Sequence, residues 1–216
     1  MTRLDIISDP VCPWCYIGAA NLMRVLAARA DHPFAIRWRP FQLNPDLPPE
    51  GTDRRAYLAA KFGGEEAVAE MTARVTAVAA EAGLSLNFER IARAPNTLDA
   101  HRLIHWAEAE GAQTRVAMAL FRRYFEAGED LSDPAVLVAA ATEAGLDGAA
   151  IGQLLAGDSD RALIEVEVRE AGEMGVTGVP TFVLGGRYVV SGAQPPELWA
   201  RVTDEIEAAT ERPAAP

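Results

Sequence analysis

The chain has 216 residues, of which 50% are hydrophobic and 24% charged. That composition can bury a core and excludes wholesale disorder, and no apolar run reaches the ~20 residues of a bilayer span. With 31 acidic against 20 basic residues the net charge is −11, which argues against nucleic acid as a partner, because phosphate backbones need cationic surfaces.

The N-terminus, MTRLDIISDP, lacks the basic start and apolar run of a secretory signal. A cytoplasmic protein without membrane attachment is therefore expected. Residues 3–8 read as a short buried strand, and Asp9-Pro10 breaks it. Cys12-Pro13-Trp14-Cys15 follows, and then apolar positions 17, 22, 25 and 26 recur at helical spacing. Pro13 suits the first turn of a helix, where a missing N–H costs nothing. The alternation in residues 34–41 predicts a second strand, so residues 3–41 form a β-α-β unit with the cysteines at its first turn.

A proline-rich connector, 42–51, excludes a helix. From 52 to 156 the pattern predicts helices only. Thr52 is expected to cap one that ends at Gly63-Gly64, and a second runs from Glu65 to Ala82. Asn96 or Thr97 caps a helix ending at Gly111, and another spans 112–127. A helix opened by Asp133-Pro134 ends at Gly145, and residues 147–156 form a short last one. Residues 158–174 are helical again. Gly185-Gly186 is a hairpin turn between strands at 181–184 and 187–190. Pro195-Pro196-Glu197 opens a final helix to about 209, and the tail from Arg212 is expected to fray. The helical block reads as an insertion between the two outer pieces. Its exposed, Ala-rich surface could serve a homodimer.

The chain has only two cysteines, Cys12 and Cys15. Thiolate is the reactive form of cysteine, and unpaired N–H groups at a helix start stabilise charge on the first sulfur. Cys12 is thus expected to attack a disulfide, and Cys15, one turn in, to resolve the mixed disulfide. Pro13 and Trp14 stiffen and fill the loop. A competing arrangement is a Cys2His2 zinc site completed by His101 and His105, spaced i, i+4. A strand-to-helix turn with proline at its first intervening position is unlike closed zinc sites, so no metal is expected. Pro180, directly before a strand, removes a ladder donor; a cis Val179–Pro180 bond would leave the preceding backbone free to pair with an extended substrate.

Cys12-Pro13-Trp14-Cys15 at the first βα turn, joined to Val179-Pro180-Thr181 before a terminal hairpin and helix, resembles the thioredoxin-fold superfamily. The helical block between the halves resembles its DsbA-like branch. Ser8 to Cys15, Trp38 to Pro45, and Pro95-Asn96-Thr97 with Ala100-His101-Arg102 look like the FrnE-like members of that branch. The resemblance implies an α/β fold: a thioredoxin-like domain of residues 1–51 and 157–216 and a helical insertion domain of residues 52–156. It implies a protein disulfide oxidoreductase with Cys12 as nucleophile, Cys15 as resolving thiol and a cis Pro180 beside them, while Val179 offers backbone contacts to substrate. It brings Asn96, Thr97 and His101 toward the active-site face, although Asn96-Thr97 also reads as a plain helix cap.

The expected partners are disulfide- or thiol-containing proteins or small molecules. No cofactor is expected, with glutathione as a candidate redox partner or substrate. Many thioredoxin-like proteins bury an acid six residues before the first cysteine, where this chain has Ile6. Asp5 and Asp9 lie near and are expected to face away. The alternative is a glutathione-dependent enzyme of the 2-hydroxychromene-2-carboxylate isomerase or kappa transferase type, which resembles the same architecture but typically carries serine at the position of Cys12.

Overall fold

A computed structural model describes residues 1–29 and 31–211; the tail from Arg212, expected to fray, lies outside the described residues. Strand β1 (Thr2–Ser8) pairs in parallel with β2 (Phe34–Pro40), and helix α1 (Pro13–Ala27) forms the crossover. On its other edge β1 runs antiparallel to β5 (Thr181–Leu184), which turns through Gly185-Gly186 into β6 (Tyr188–Ser191), giving the order β2-β1-β5-β6. β1 is central and covered on both faces, so Leu4, Ile6 and Ile7 are all buried instead of alternating with polar residues.

Helix α9 (Pro196–Glu211) packs on α1 and seats Trp199 against Phe182 of β5, edge to face at 4.7 Å. Both rings are fully buried, and at about 25 cal/mol per Å² each contributes on the order of 3 kcal/mol. The model has the expected fold class, an α/β thioredoxin fold with a large helical insertion.

Between β2 and β5 lie α2 (Arg54–Phe62), α3 (Glu65–Glu81), α4 (Leu98–Trp106), α5 (Gln113–Phe121), α6 (Pro134–Glu143), α7 (Gly148–Ala156) and α8 (Arg161–Glu173). The block joins the sheet at β2. The Gln113 amide accepts from Trp38 N at 3.0 Å and donates to Trp38 O at 3.4 Å, so one side chain closes part of the sheet edge.

The expectation of helices only between 52 and 156 is corrected by a two-residue antiparallel pair, β3 (Thr52–Asp53) with β4 (Arg93–Ala94). The approach depends on Gly51, at φ +69°, where a Cβ would lie 2.6 Å from Ala94 O. A contact of two residues a side carries no periodicity in sequence. The α2 cap is Asp53, not Thr52: its carboxylate accepts from Ala56 N. α4 ends at Trp106, and residues 107–111 are turns instead of further helix. The stretch expected as helix to 127 loosens after α5 into a π-helical turn, Arg122–Ala127, closed by Gly128 against Arg90. Among the described residues no helix is long and apolar enough to cross a membrane.

Candidate active site

The cysteine turn is built by Asp9. Its carbonyl accepts from Cys12 N at 2.9 Å, and its fully buried carboxylate accepts from Leu43 N at 2.7 Å and from Val11 N at 3.4 Å. The β1 exit is thereby tied to the connector after β2. Cys12 is the N-cap of α1 and Pro13 its first residue, as the missing donor of proline allows. Cys12 O accepts from Cys15 N at 3.0 Å and from Tyr16 N at 3.3 Å, which sets Cys15 one turn inside.

Both cysteines are free, and they are 4% and 1% exposed. The Cys12 Sγ–H donates to Val179 O at 3.5 Å across 167 residues of sequence. Burial pushes the Cys15 thiol well up, as does the neighbouring Cys12 sulfur, while the Ser8 hydroxyl and the Asp9 backbone pull it back. A negative charge is therefore disfavoured on the inner sulfur.

The Val179–Pro180 peptide is cis. Pro180 is pressed against α1 at Gly18, where a Cβ would meet Pro180 Cγ at 3.1 Å, so any larger residue would require the neighbouring segment to give by a few tenths of an ångström. Pro180 O accepts from Gly192 N at 2.8 Å, and Thr181 Oγ1 donates to Gly178 O at 2.8 Å. Cys12, Cys15, Pro13, Trp14, Val179 and Pro180 are thus brought together.

Asn96, Thr97 and His101 lie behind the turn. Asn96 donates to Leu47 O at 2.7 Å and accepts from Gln42 Nε2 and Leu98 N, so it holds the first residue of α4, whose N-cap is Thr97, and anchors the connector at once. Thr97 and His101 are buried. His101 Nε2 lies 3.0 Å from Phe41 O and 3.8 Å from the Asp9 carboxylate. Burial pushes Asp9 up to about 6, against the opposing Leu43 and Val11 amides and the Thr97 hydroxyl. Burial pushes His101 down to about 4, only partly opposed by Phe41 O. Near neutral pH the pair is a carboxylate facing a neutral imidazole. Asp5, buried in β1, turns to Arg3, whereas Asp9 builds the turn through its carbonyl and directs its carboxylate to Leu43 and Val11.

Among the described residues no group of three or more His, Cys, Asp and Glu is placed to hold a metal, so the two cysteines are not gathered with His101 and His105. A cavity of about 330 Å³ opens beside Cys12, Trp14 and Val179. Its far side comes from the helical block: Arg54, Tyr57, Leu58 and Lys61 of α2, Met71 and Val75 of α3, then Phe88, Tyr124 and Phe125. None of that far wall is marked out by a motif in the sequence. A signal was available, because 54, 57, 58 and 61 stand at i, i+3, i+4 and i+7, one face of a helix. A second cavity, of about 500 Å³, lies across the 178–180 segment and is lined by Ile7, Met174, Thr177, Pro180 and Val189.

A model of the DSBA-like thioredoxin domain matches residues 3–203, and the chain belongs to that family. A probable DsbA oxidoreductase from Streptomyces coelicolor is 32% identical, with a TM-score of 0.84 over 100% of this chain and 93% of its own. The likeness to a cytosolic disulfide reductase, DsbM from Pseudomonas aeruginosa with GSH, is one of fold: 21% identity, TM-score 0.68, 95% and 99% covered. So is the likeness to a 2-hydroxychromene-2-carboxylate isomerase, at 16% identity and TM-score 0.71, with 98% and 100% covered.

Proposed function

We propose that this member of the DSBA-like thioredoxin-domain family is a thiol–disulfide oxidoreductase in which Cys12 attacks and Cys15 resolves. The observation that carries the reading is the division between the two sulfurs. Cys12 caps α1 at the cavity with its thiol toward Val179 O, whereas Cys15 is buried one turn in, where burial opposes its charge. A thiolate forms more readily at a helix start than in an apolar interior. The family match and the probable DsbA oxidoreductase support oxidoreductase chemistry.

In the exchange the Cys12 thiolate attacks one sulfur of a disulfide and expels the other as a thiolate. Cys15 then loses its proton and attacks the Cys12 sulfur, expelling the second product and leaving a Cys12–Cys15 disulfide. Two electrons pass to the substrate, and the reverse sequence returns them. Pro13 and Trp14 shape the loop, and Val179 and Pro180 offer backbone to the substrate. Asn96, Thr97 and His101 hold the connector and the turn in place. No cofactor is required; glutathione serves as redox partner or substrate. Placement in the FrnE-like branch, the insertion boundary at 52–156 and a cytoplasmic site of action belong to the same reading, the last supported by the likeness of fold to a cytosolic reductase. The likeness to the isomerase favours a glutathione-dependent isomerase or transferase as second reading, against which both cysteines are present.

The test is a titration of the pair against glutathione buffers. A reversible two-electron transition, lost in Cys12→Ser, is expected, and Cys15→Ser should accumulate a mixed disulfide on Cys12. A potential near −270 mV would make the protein a reductase and one near −120 mV an oxidant, the values being approximate. Absence of any transition, with isomerase activity on glutathione addition, would sink the first reading in favour of the second.

A further inference from the structure

The cavity beside Cys12 carries a charge pattern that exchange alone does not require. The chain is strongly acidic and many of its arginines sit within 4 Å of a carboxylate, yet among the described residues no acidic one lines this cavity. Its two cations, Arg54 and Lys61, are satisfied by neutral groups instead. Lys61 Nζ donates to Leu43 O, Asn44 Oδ1 and the Tyr57 hydroxyl. Arg54 Nη1 donates to Phe88 O at 3.5 Å, and the guanidinium lies 5.3 Å from the centre of the Phe88 ring. The charge of Lys61 reaches Asp9 but forms no ion pair with it, and the Asp9 carboxylate is already taken by two backbone amides. Arg54, Tyr57, Leu58 and Lys61 share one face of α2, so the two charges reach the cavity on a rigid helix. Leu58, Met71, Val75, Phe88 and Phe125 make much of the remaining lining apolar, beside the polar side chains of Asn44, Tyr57, Thr72 and Tyr124.

We propose that the cavity takes a small organic disulfide, or the thiol made from it, with an apolar aromatic or branched body and a carboxylate at the end remote from sulfur. The carboxylate is received by Arg54 and Lys61, the body lies on the apolar wall, and the disulfide meets Cys12. This rests on the exchange reading above. The cavity is of ligand size, and its two cations, which meet no carboxylate among the described residues, supply polar groups that fix orientation in a largely apolar pocket. Glutathione, a polar peptide, meets Cys12 as a redox partner, but its body gains less from the apolar part of the wall than an aromatic or branched one does. The chemistry balances as above: Cys12 forms a bond to one arylthio sulfur and expels the other arylthiolate. Cys15 then gives up its proton, closes the protein disulfide and expels the second.

The experiment mixes reduced protein with 5,5′-dithiobis(2-nitrobenzoate), which carries a carboxylate on each ring, and with neutral 4,4′-dithiodipyridine. The quantity read is the ratio of the two rate constants, in which changes in Cys12 reactivity common to both probes cancel. The ratio is expected to fall about tenfold in Arg54→Met and in Lys61→Met, the size of one lost charge-assisted hydrogen bond, and to fall in the wild type as salt is raised. An unchanged ratio overturns the proposal.

A binding measurement needs no redox step. In Cys12→Ser, 2-naphthoate should perturb intrinsic fluorescence at lower concentration than 2-naphthalenemethanol, and Lys61→Met should remove the difference. Equal affinity for acid and alcohol overturns the subsite whatever the redox result. Naphthoate selectivity together with no reaction toward either disulfide would uphold the site and sink the exchange reading on which its substrate class rests.

Discussion

The cavity beside Cys12 has two walls of different make. The near wall is backbone and sulfur, the 9–15 turn and the 178–180 segment, held from behind by Asp9, by Gly18 and by the β5–β6 hairpin. It presents few side chains and is rigid through short hydrogen bonds. The far wall is side chains on α2, α3 and the π-helical turn, and it carries rings and charge. The difference teaches a division of labour. In the function proposed above, the near wall sets which sulfur reacts, and the far wall sets what is admitted to it. Variants of the two walls should therefore fail in different ways.

The largest effect on stability is expected in the helical block apart from both walls, where α4 packs on α5 and α8. Arg102 is fully buried in α4 and donates to Ser159 O, Leu154 O and Gly157 O at 2.7–2.9 Å, besides pairing with Asp99. Arg102→Met leaves three carbonyls without their donor and should cost about 3–5 kcal/mol in denaturant unfolding. Alkylation of Cys12 in the folded fraction should be unaffected, since the near wall is built from other residues. A change in Cys12 reactivity would show that the near wall is not separable from the helical block.

The pH response isolates the near wall's support. Asp9 is raised from an ordinary 3.8 to about 6, so its share of stability is full below about pH 4 and is lost as pH rises through 6. His101 is lowered from 6.5 to about 4, so its share is full above about pH 6.5 and is lost as pH falls through 4. The two slopes oppose each other between pH 4 and 6.5. Relative to the wild type, Asp9→Asn should gain stability as pH rises across that window and His101→Gln should gain as pH falls, each by about 2–3 kcal/mol for shifts of this size. Parallel unfolding curves for all three proteins would mean that neither group is perturbed by burial.

The near wall was largely legible in the sequence. Cys12, Pro13, Cys15, Val179 and Pro180 are residue types whose chemistry needs fixed local spacing, and the β-α-β pattern placed them at one turn. The part Asp9 plays in the turn is not legible, because it depends on Leu43, 34 residues away, and no local pattern reports such a hydrogen bond. The far wall gathers residues 54–62, 71–75, 88 and 124–125 by tertiary packing alone. The β3–β4 pair and the π-helical turn that bring Phe88 and Phe125 inward have no periodicity to read. Only the α2 face was there to be found.

Gly18→Ala probes the near wall with one methyl group. Its Cβ would lie 3.1 Å from Pro180 Cγ and 3.3 Å from both Ala193 Cα and Phe182 Cζ. Overpacking of this kind costs about 1–3 kcal/mol, and the better helix propensity of alanine returns up to about 1, so a net loss of about 1–2 kcal/mol is expected. The functional effect should exceed the stability effect, because the displaced segment carries Val179, whose carbonyl receives the Cys12 thiol. Disulfide exchange that survives at the wild-type rate would show that the 178–180 position is not set by this contact.

The smallest effect concerns the bond that joins the walls. Tyr16, next to Cys15, donates its hydroxyl to Glu126 Oε1 at 2.6 Å, and its ring stacks on Phe121 and Phe125. Burial and the Glu126 carboxylate both raise its pKa, so the hydroxyl stays protonated and remains a donor throughout the working range. Tyr16→Phe keeps the stacked rings and removes only the hydrogen bond, a loss of about 1 kcal/mol. Glu126 reaches solvent in part and can be rehydrated, which keeps that figure from rising. If the bond serves only stability, the preference of the cavity for an anionic ligand should not move. If it sets the distance between the walls, naphthoate binding should weaken in Tyr16→Phe while Cys12 alkylation holds its rate, and Glu126→Gln with Tyr16 intact, which keeps an acceptor for the hydroxyl, should retain most of the binding.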